Sequence, residues 1–198
     1  MTQAISRPIT AAVCKLLSYK GQYTPCHISV PDLEEKQAAI DIDGRYFSLF
    51  KRFDAADKVL EVAAKLAKRG EDIAITRSSQ GYVMWIHEED ATLLKLNVSS
   101  KSLQLPTFGP APCYVIVSMK SYRPCYIKVP DMMQPMVAIY YARRFYSVYR
   151  RGLAADDAIE ISKKLVSRGD EVAIAPTRNG HAVCVWEPEA IPFNPENN

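Results

Sequence analysis

Ala38-Ala39-Ile40-Asp41-Ile42-Asp43-Gly44-Arg45-Tyr46-Phe47-Ser48-Leu49-Phe50 reads as two alternating strands about Asp43-Gly44, a dipeptide favoured in two-residue hairpin turns. It returns as Val137-Ala138-Ile139-Tyr140-Tyr141-Ala142-Arg143-Arg144-Phe145-Tyr146-Ser147-Val148-Tyr149. Outward from this hairpin, residues 14–91 lie on residues 113–190 without a gap, and roughly a third of the paired residues are identical. The anchors are Tyr23, Pro25, Cys26 and Ile28 against Tyr122, Pro124, Cys125 and Ile127, with Arg69-Gly70 against Arg168-Gly169. The chain therefore divides into a first repeat unit, 1–92, a linker, 93–112, a second unit, 113–191, and a disordered tail, 192–198.

Each unit continues into a helix. Asp54 is the expected N-cap, and Ala56, Val59, Leu60, Ala63, Leu66 and Ala67 form an apolar stripe at helical spacing, ended by Gly70. Ala155, Ala158, Ile159, Ser162, Leu165 and Val166 repeat it, ended by Gly169. Residues 73–76 with 82–86, and 172–175 with 182–186, predict a second hairpin in each unit, and residues 23–30 a further strand. The expected fold is α+β: two tandem repeats of a small, mainly antiparallel sheet with one helix packed on its face. Because Ala142-Arg143 stands where Asp43-Gly44 was, the second turn is expected to be of another type or more strained.

Charge divides unevenly. Residues 14–91 hold eleven Lys and Arg against thirteen Asp and Glu, whereas residues 113–190 hold eleven against eight, within a chain of net charge +3. So small a net charge is no nucleic-acid signature by itself, but a polyanion should prefer the second unit. No apolar run reaches membrane-spanning length and no secretory start is read, so a cytoplasmic protein is expected. Five cysteines, an odd count, suggest free thiols, with a bridge between Cys14 and Cys26 left open. A metal at Cys26 and His27 is disfavoured, because Tyr126 replaces the histidine in the second copy.

Catalytic signatures are lacking. The three histidines, His27, His87 and His181, each lack a histidine counterpart, and eight glycines leave no phosphate-cradling loop. Asp32 and Asp131, each after a proline, read as turn formers. No enzyme activity, cofactor or metal is expected.

The return strand carries the most suggestive pattern. Alternation turns Phe47 and Leu49 toward the helix, leaving Tyr46, Ser48, Phe50 and Arg52 outward, and Phe145, Ser147, Tyr149 and Arg151 in the second copy. Aromatic, small, aromatic, arginine suits base stacking beside phosphate. Asp41 and Asp43 would repel phosphate in the first unit. The nucleic-acid candidates are therefore Arg143, Arg144, Phe145, Tyr149, Arg150 and Arg151, with Tyr46, Phe50 and Arg52 assigned to a protein partner.

Residues 39–70, with their hairpin, Gly44-Arg45 turn, Phe53 and Ala-rich helix, resemble AP2 and integrase-arm DNA-binding domains over less than half of each unit. That resemblance implies a three-stranded sheet laid in the DNA major groove. In element order, residues 45–86 are also similar to half of a SPOR-type peptidoglycan-binding domain. The reading is a non-enzymatic cytoplasmic repeat protein that binds nucleic acid through the basic aromatic strand of its second unit. The alternative is an adaptor or assembly factor whose aromatic sheet faces meet a protein partner or a second copy.

Overall fold

The computed structural model describes residues 13–18, 20–31, 33, 35–94, 110–130 and 132–194. The first half runs β1 (Cys14–Leu16), β2 (Thr24–Ser29), β3 (Gln37–Ile42), β4 (Arg45–Phe53), α1 (Ala56–Lys68), β5 (Ile73–Ser78), β6 (Gly81–His87) and β7 (Thr92–Leu93). The second runs β8 (Cys113–Val115), β9 (Arg123–Lys128), β10 (Met136–Tyr141), β11 (Arg144–Leu153), α2 (Ala155–Val166), β12 (Val172–Thr177), β13 (Gly180–Trp186) and β14 (Ile191–Phe193).

All fourteen strands form one sheet, in the order β14-β9-β10-β11-β13-β12-β8-β1-β5-β6-β4-β3-β2-β7. This corrects the expected pair of small antiparallel sheets, each with its own helix. Short β1 lies parallel to β5, and β8 parallel to β12. At the centre β1 and β8 meet antiparallel, Cys14 opposite Cys113, which makes the sheet mixed and continuous. Three-residue strands have too little sequence to show a period, which is why the junction was not foreseen. Matched through the repeat, the strand order reads the same from either edge.

Both helices pack on one face over a single core. It joins Val59, Leu60 and Ala63 of α1 and Ile159 and Leu165 of α2 to Leu16, Ile73, Met84, Val115, Val172 and Val183. Two smaller clusters cover the opposite face, one around Phe47, Ile40 and Leu17, the other around Tyr146, Ile139 and Cys184. Phe47 and Tyr146 thus face away from the helices, opposite to the expected side. The helix stripes otherwise agree with expectation, Ala64 being buried in place of Ala67. Asp54 does not cap; Ala55 and Ala154 hold the N-cap positions without a side-chain bond. At the C-terminus of α1, Glu71 N donates to Leu66 O at 3.1 Å and Gly70 N to Ala67 O at 3.1 Å, with Gly70 at φ +88°, a Schellman arrangement.

Among the described residues no helix is long and apolar enough to cross a membrane. All five cysteines are free thiols, and no group of three His, Cys, Asp or Glu side chains is gathered for a metal among the described residues. Asp32, Asp131 and linker residues 95–109 lie outside the described residues. So does most of the expected tail, although its first residues, Pro192 and Phe193, form part of β14, paired with β9.

Candidate nucleic-acid interface

The turn before β11 has the expected strain without a change of type. Asp43 and Gly44 sit at φ +55° and +79°, and Ala142 and Arg143 at +47° and +65°. A left-handed conformation costs a residue with a Cβ roughly 1–2 kcal/mol. In the first half Asp41 Oδ1 also accepts Gly44 N at 2.8 Å; Tyr140 at the equivalent place offers no carboxylate.

A bulge breaks the expected alternation along the return strand. In β11 the register steps from Val148 opposite Cys184 to Arg150 opposite Val183, so Tyr149 is the extra residue; Phe50 has the same place in β4. Paired residues share a sheet face, so Phe145, Ser147 and Arg150 turn to the helix side, and Tyr146 and Val148 to the other. The anticipated row of Phe145, Ser147, Tyr149 and Arg151 therefore does not exist as one surface.

Two concave regions lie there instead. One is a cleft of about 480 Å3 lined by Arg123, Pro124, Cys125, Tyr140, Arg143, Phe145 and Pro192. Tyr140 and Phe145 have ring centroids 5.0 Å apart, tilted by 48°, and the Arg123 guanidinium lies 5.4 Å from the Tyr140 ring. The other surrounds the bulge. Tyr149 is 55% exposed there, beside a groove of about 400 Å3 that also involves Val137, Val148, Arg150 and Arg151. A neighbouring depression of about 570 Å3 joins Arg151 to Arg178 and Asn179 of the β12–β13 turn. Between the two regions Ser147 Oγ donates to Glu187 Oε1 at 2.6 Å, a bond repeated by Ser48 and Glu88 at 2.6 Å. Its carboxylate disfavours phosphate at the middle of the strand.

Arg144 is a structural cation. Its Nη1 donates to Glu171 Oε1 at 2.7 Å and Oε2 at 2.8 Å, and the guanidinium lies 4.8 Å from the Trp186 ring. The Glu171 hydrogen bond foremost holds it more basic than usual. Glu171 also accepts Tyr146 Oη at 2.8 Å, so Arg144 has little freedom for a phosphate. By contrast, the ion pairs of the described residues leave Arg123, Arg143, Arg150, Arg151 and Arg178 without a carboxylate.

Phe145 and Tyr149 are not buried against the first half; β13, β12 and β8 separate β11 from β1. Of the residues assigned to a protein partner, Tyr46 is half-buried opposite Asp41, Phe50 is 47% exposed at its bulge, and Arg52 is exposed opposite Val83. Arg123 and Arg178 were not anticipated. Arg123 replaces Thr24 and Tyr140 replaces Asp41, a paired change visible between the copies, but only the register Arg123–Tyr140–Phe145 shows that they meet.

No protein-family model matches the chain, and neither the curated proteins nor the solved structures provide a match.

Proposed function

We propose that this is a non-enzymatic, cytoplasmic nucleic-acid-binding protein whose binding surface is the outer part of its second half. One observation carries the reading: Arg123, Arg143, Arg150, Arg151 and Arg178 have no carboxylate partner among the described residues and border two regions that also present aromatic rings. Phosphate is the anion such a layout suits, and the rings suit bases. The five free cysteines favour a reducing compartment. Half one offers Thr24 and Asp41 where half two offers Arg123 and Tyr140, so the contact belongs to one half.

The test is fluorescence anisotropy with a labelled 20-nucleotide oligonucleotide across a salt series. Binding should weaken linearly in log[salt], with a slope of about −2 to −4 for three to five phosphate contacts. Arg143→Glu with Arg150→Glu should reduce affinity by about tenfold or more at low salt. Affinity unchanged by that pair of substitutions would end the proposal.

A second reading, protein docking, draws on the sheet face away from the helices, which the Tyr149 groove also borders through Val137; there Tyr126 and Val137 are paired and 47% and 49% exposed, next to Ile191 at 60%. Binding of a protein or a second copy there would hold or tighten with salt.

A further inference from the structure

One cross-strand row has changed chemistry as a unit. Thr24, Asp41 and Tyr46 lie side by side in the first half, and Arg123, Tyr140 and Phe145 in the second. A hydroxyl, a carboxylate and a phenol have become a guanidinium and two rings. The thiol next to each row registers the reversed field. Burial raises both Cys26 and Cys125, but Asp41 raises Cys26 further while Arg123 draws Cys125 back.

Building on the nucleic-acid reading, we propose that the Arg123–Tyr140–Phe145 cleft receives one unpaired nucleobase with its adjacent phosphate, which makes the ligand single-stranded. The rings meet at 48°, so they do not satisfy each other by parallel stacking, and both are only half-buried. A planar base can lie on an aromatic face or against a guanidinium plane. Pro124 and Pro192 form walls without backbone donors, and no carboxylate of the described residues lines the cleft. A volume of about 480 Å3 falls within the span of small-ligand sites. The phosphate goes to Arg143, which the strained turn holds at the rim, because Glu187 bars the way along β11. Arg150 and Arg151 then touch the same strand roughly 16 Å away, five residues along β11. A base inside a duplex is stacked on both faces and enters such a cleft only after unstacking and unpairing.

Cys125 supplies a local reporter. It lines the cleft and is half-buried, whereas Cys14, Cys113 and Cys184 are buried. In full-length Cys26→Ser protein, the alkylation rate of Cys125 is measured alone, with U12 RNA or dT12 DNA, and with a 12-base-pair duplex, at low salt. Saturating single strand should slow alkylation about tenfold or more, and duplex should leave it nearly unchanged. Protection by either sugar supports the cleft; the stronger one names the preferred backbone. Phe145→Leu, which keeps an apolar strand residue, should weaken single-strand binding about tenfold while leaving duplex affinity the same. If its melting curve shows unfolding, Tyr140→Leu, which removes the other ring of the cleft, serves instead, with the same expectation. Single-strand binding with Cys125 unprotected, or equal protection by duplex, overturns the base cleft and leaves phosphate binding intact. Absence of binding by any oligonucleotide removes both.

Discussion

The two sides of the seam between the halves are built from equivalent residues and finished differently. On one side, β5 and β6 meet α2: Tyr82 Oη donates to Asp156 Oδ1 at 2.6 Å, and Arg77 Nη1 donates to Glu160 Oε1 at 2.8 Å. Arg77 also lies 5.1 Å from the Tyr82 ring, and Lys163 Nζ reaches Glu160 at 3.1 Å. On the other side β12 and β13 face α1, where Asp57 and Glu61 keep the acidic positions but Pro176 and His181 replace Arg77 and Tyr82. A cavity of about 130 Å3 remains there, and His181 Nδ1 is buried without a hydrogen-bond partner among the described residues. Retained helix acids are thus insufficient to join the halves; the strand-borne donors decide which side is closed by polar contacts.

The largest effect should come from breaking the closed side. Tyr82→Phe removes a hydroxyl bonded to a carboxylate, a loss of about 1.5–3 kcal/mol. For a chain of this length that lowers Tm by roughly 3–12 °C. His181→Phe removes an unpaired nitrogen and should cost little or increase stability. His181→Tyr offers Asp57 the hydroxyl that Asp156 already has and should raise Tm. Thermal and urea unfolding decide the matter: equal losses for Tyr82→Phe and His181→Phe would show that the two sides do not differ energetically.

A smaller contrast lies on the helices. Ser162 of α2 is fully buried and its Oγ has no hydrogen-bond partner among the described residues, while Ala63 occupies the equivalent place in α1, equally buried. A buried hydroxyl without a bond is costly to desolvate. Ser162→Ala should therefore stabilise by about 1 kcal/mol, and Ala63→Ser should destabilise by about the same. Urea midpoints for the two variants that moved in the same direction would contradict the equivalence of the helices.

What the sequence made legible follows periodicity and turn chemistry. Asp43-Gly44 declared its hairpin, and the stripe from Ala155 to Val166 marked the buried side of α2, because both are local patterns. The bulge at Tyr149 carries no such mark: a single inserted residue changes which side Arg150 faces without altering local composition. Arg144 looked available because its partner, Glu171, is 27 residues distant and reaches it only through the fold. Arg123 was hidden for a related reason, since its meeting with Tyr140 depends on the register of β9 against β10. The strand therefore does not present its cations and rings as one strip.

The smallest effect tests the contrast between His87 and its counterpart Trp186. Both lie under the arginine that follows the hairpin turn: Arg45 Nε donates to His87 Nε2 at 3.3 Å, and Arg144 lies over Trp186. Burial first, and then the charge of Arg45, hold the His87 imidazole below its ordinary range. The unfolded chain consequently takes up that proton before the folded one does. Stability from the neutral ring is complete above about pH 6.5 and is lost as pH falls through the window just beneath it. Solvent screening at this half-exposed site keeps the loss small. Trp186 has no such proton to gain, so His87→Trp should flatten the decline in urea midpoint between pH 7.5 and 5.5. Should wild type and His87→Trp decline in parallel, the arginine–ring contacts of the two halves respond alike to acid, and the difference between them is one of packing alone.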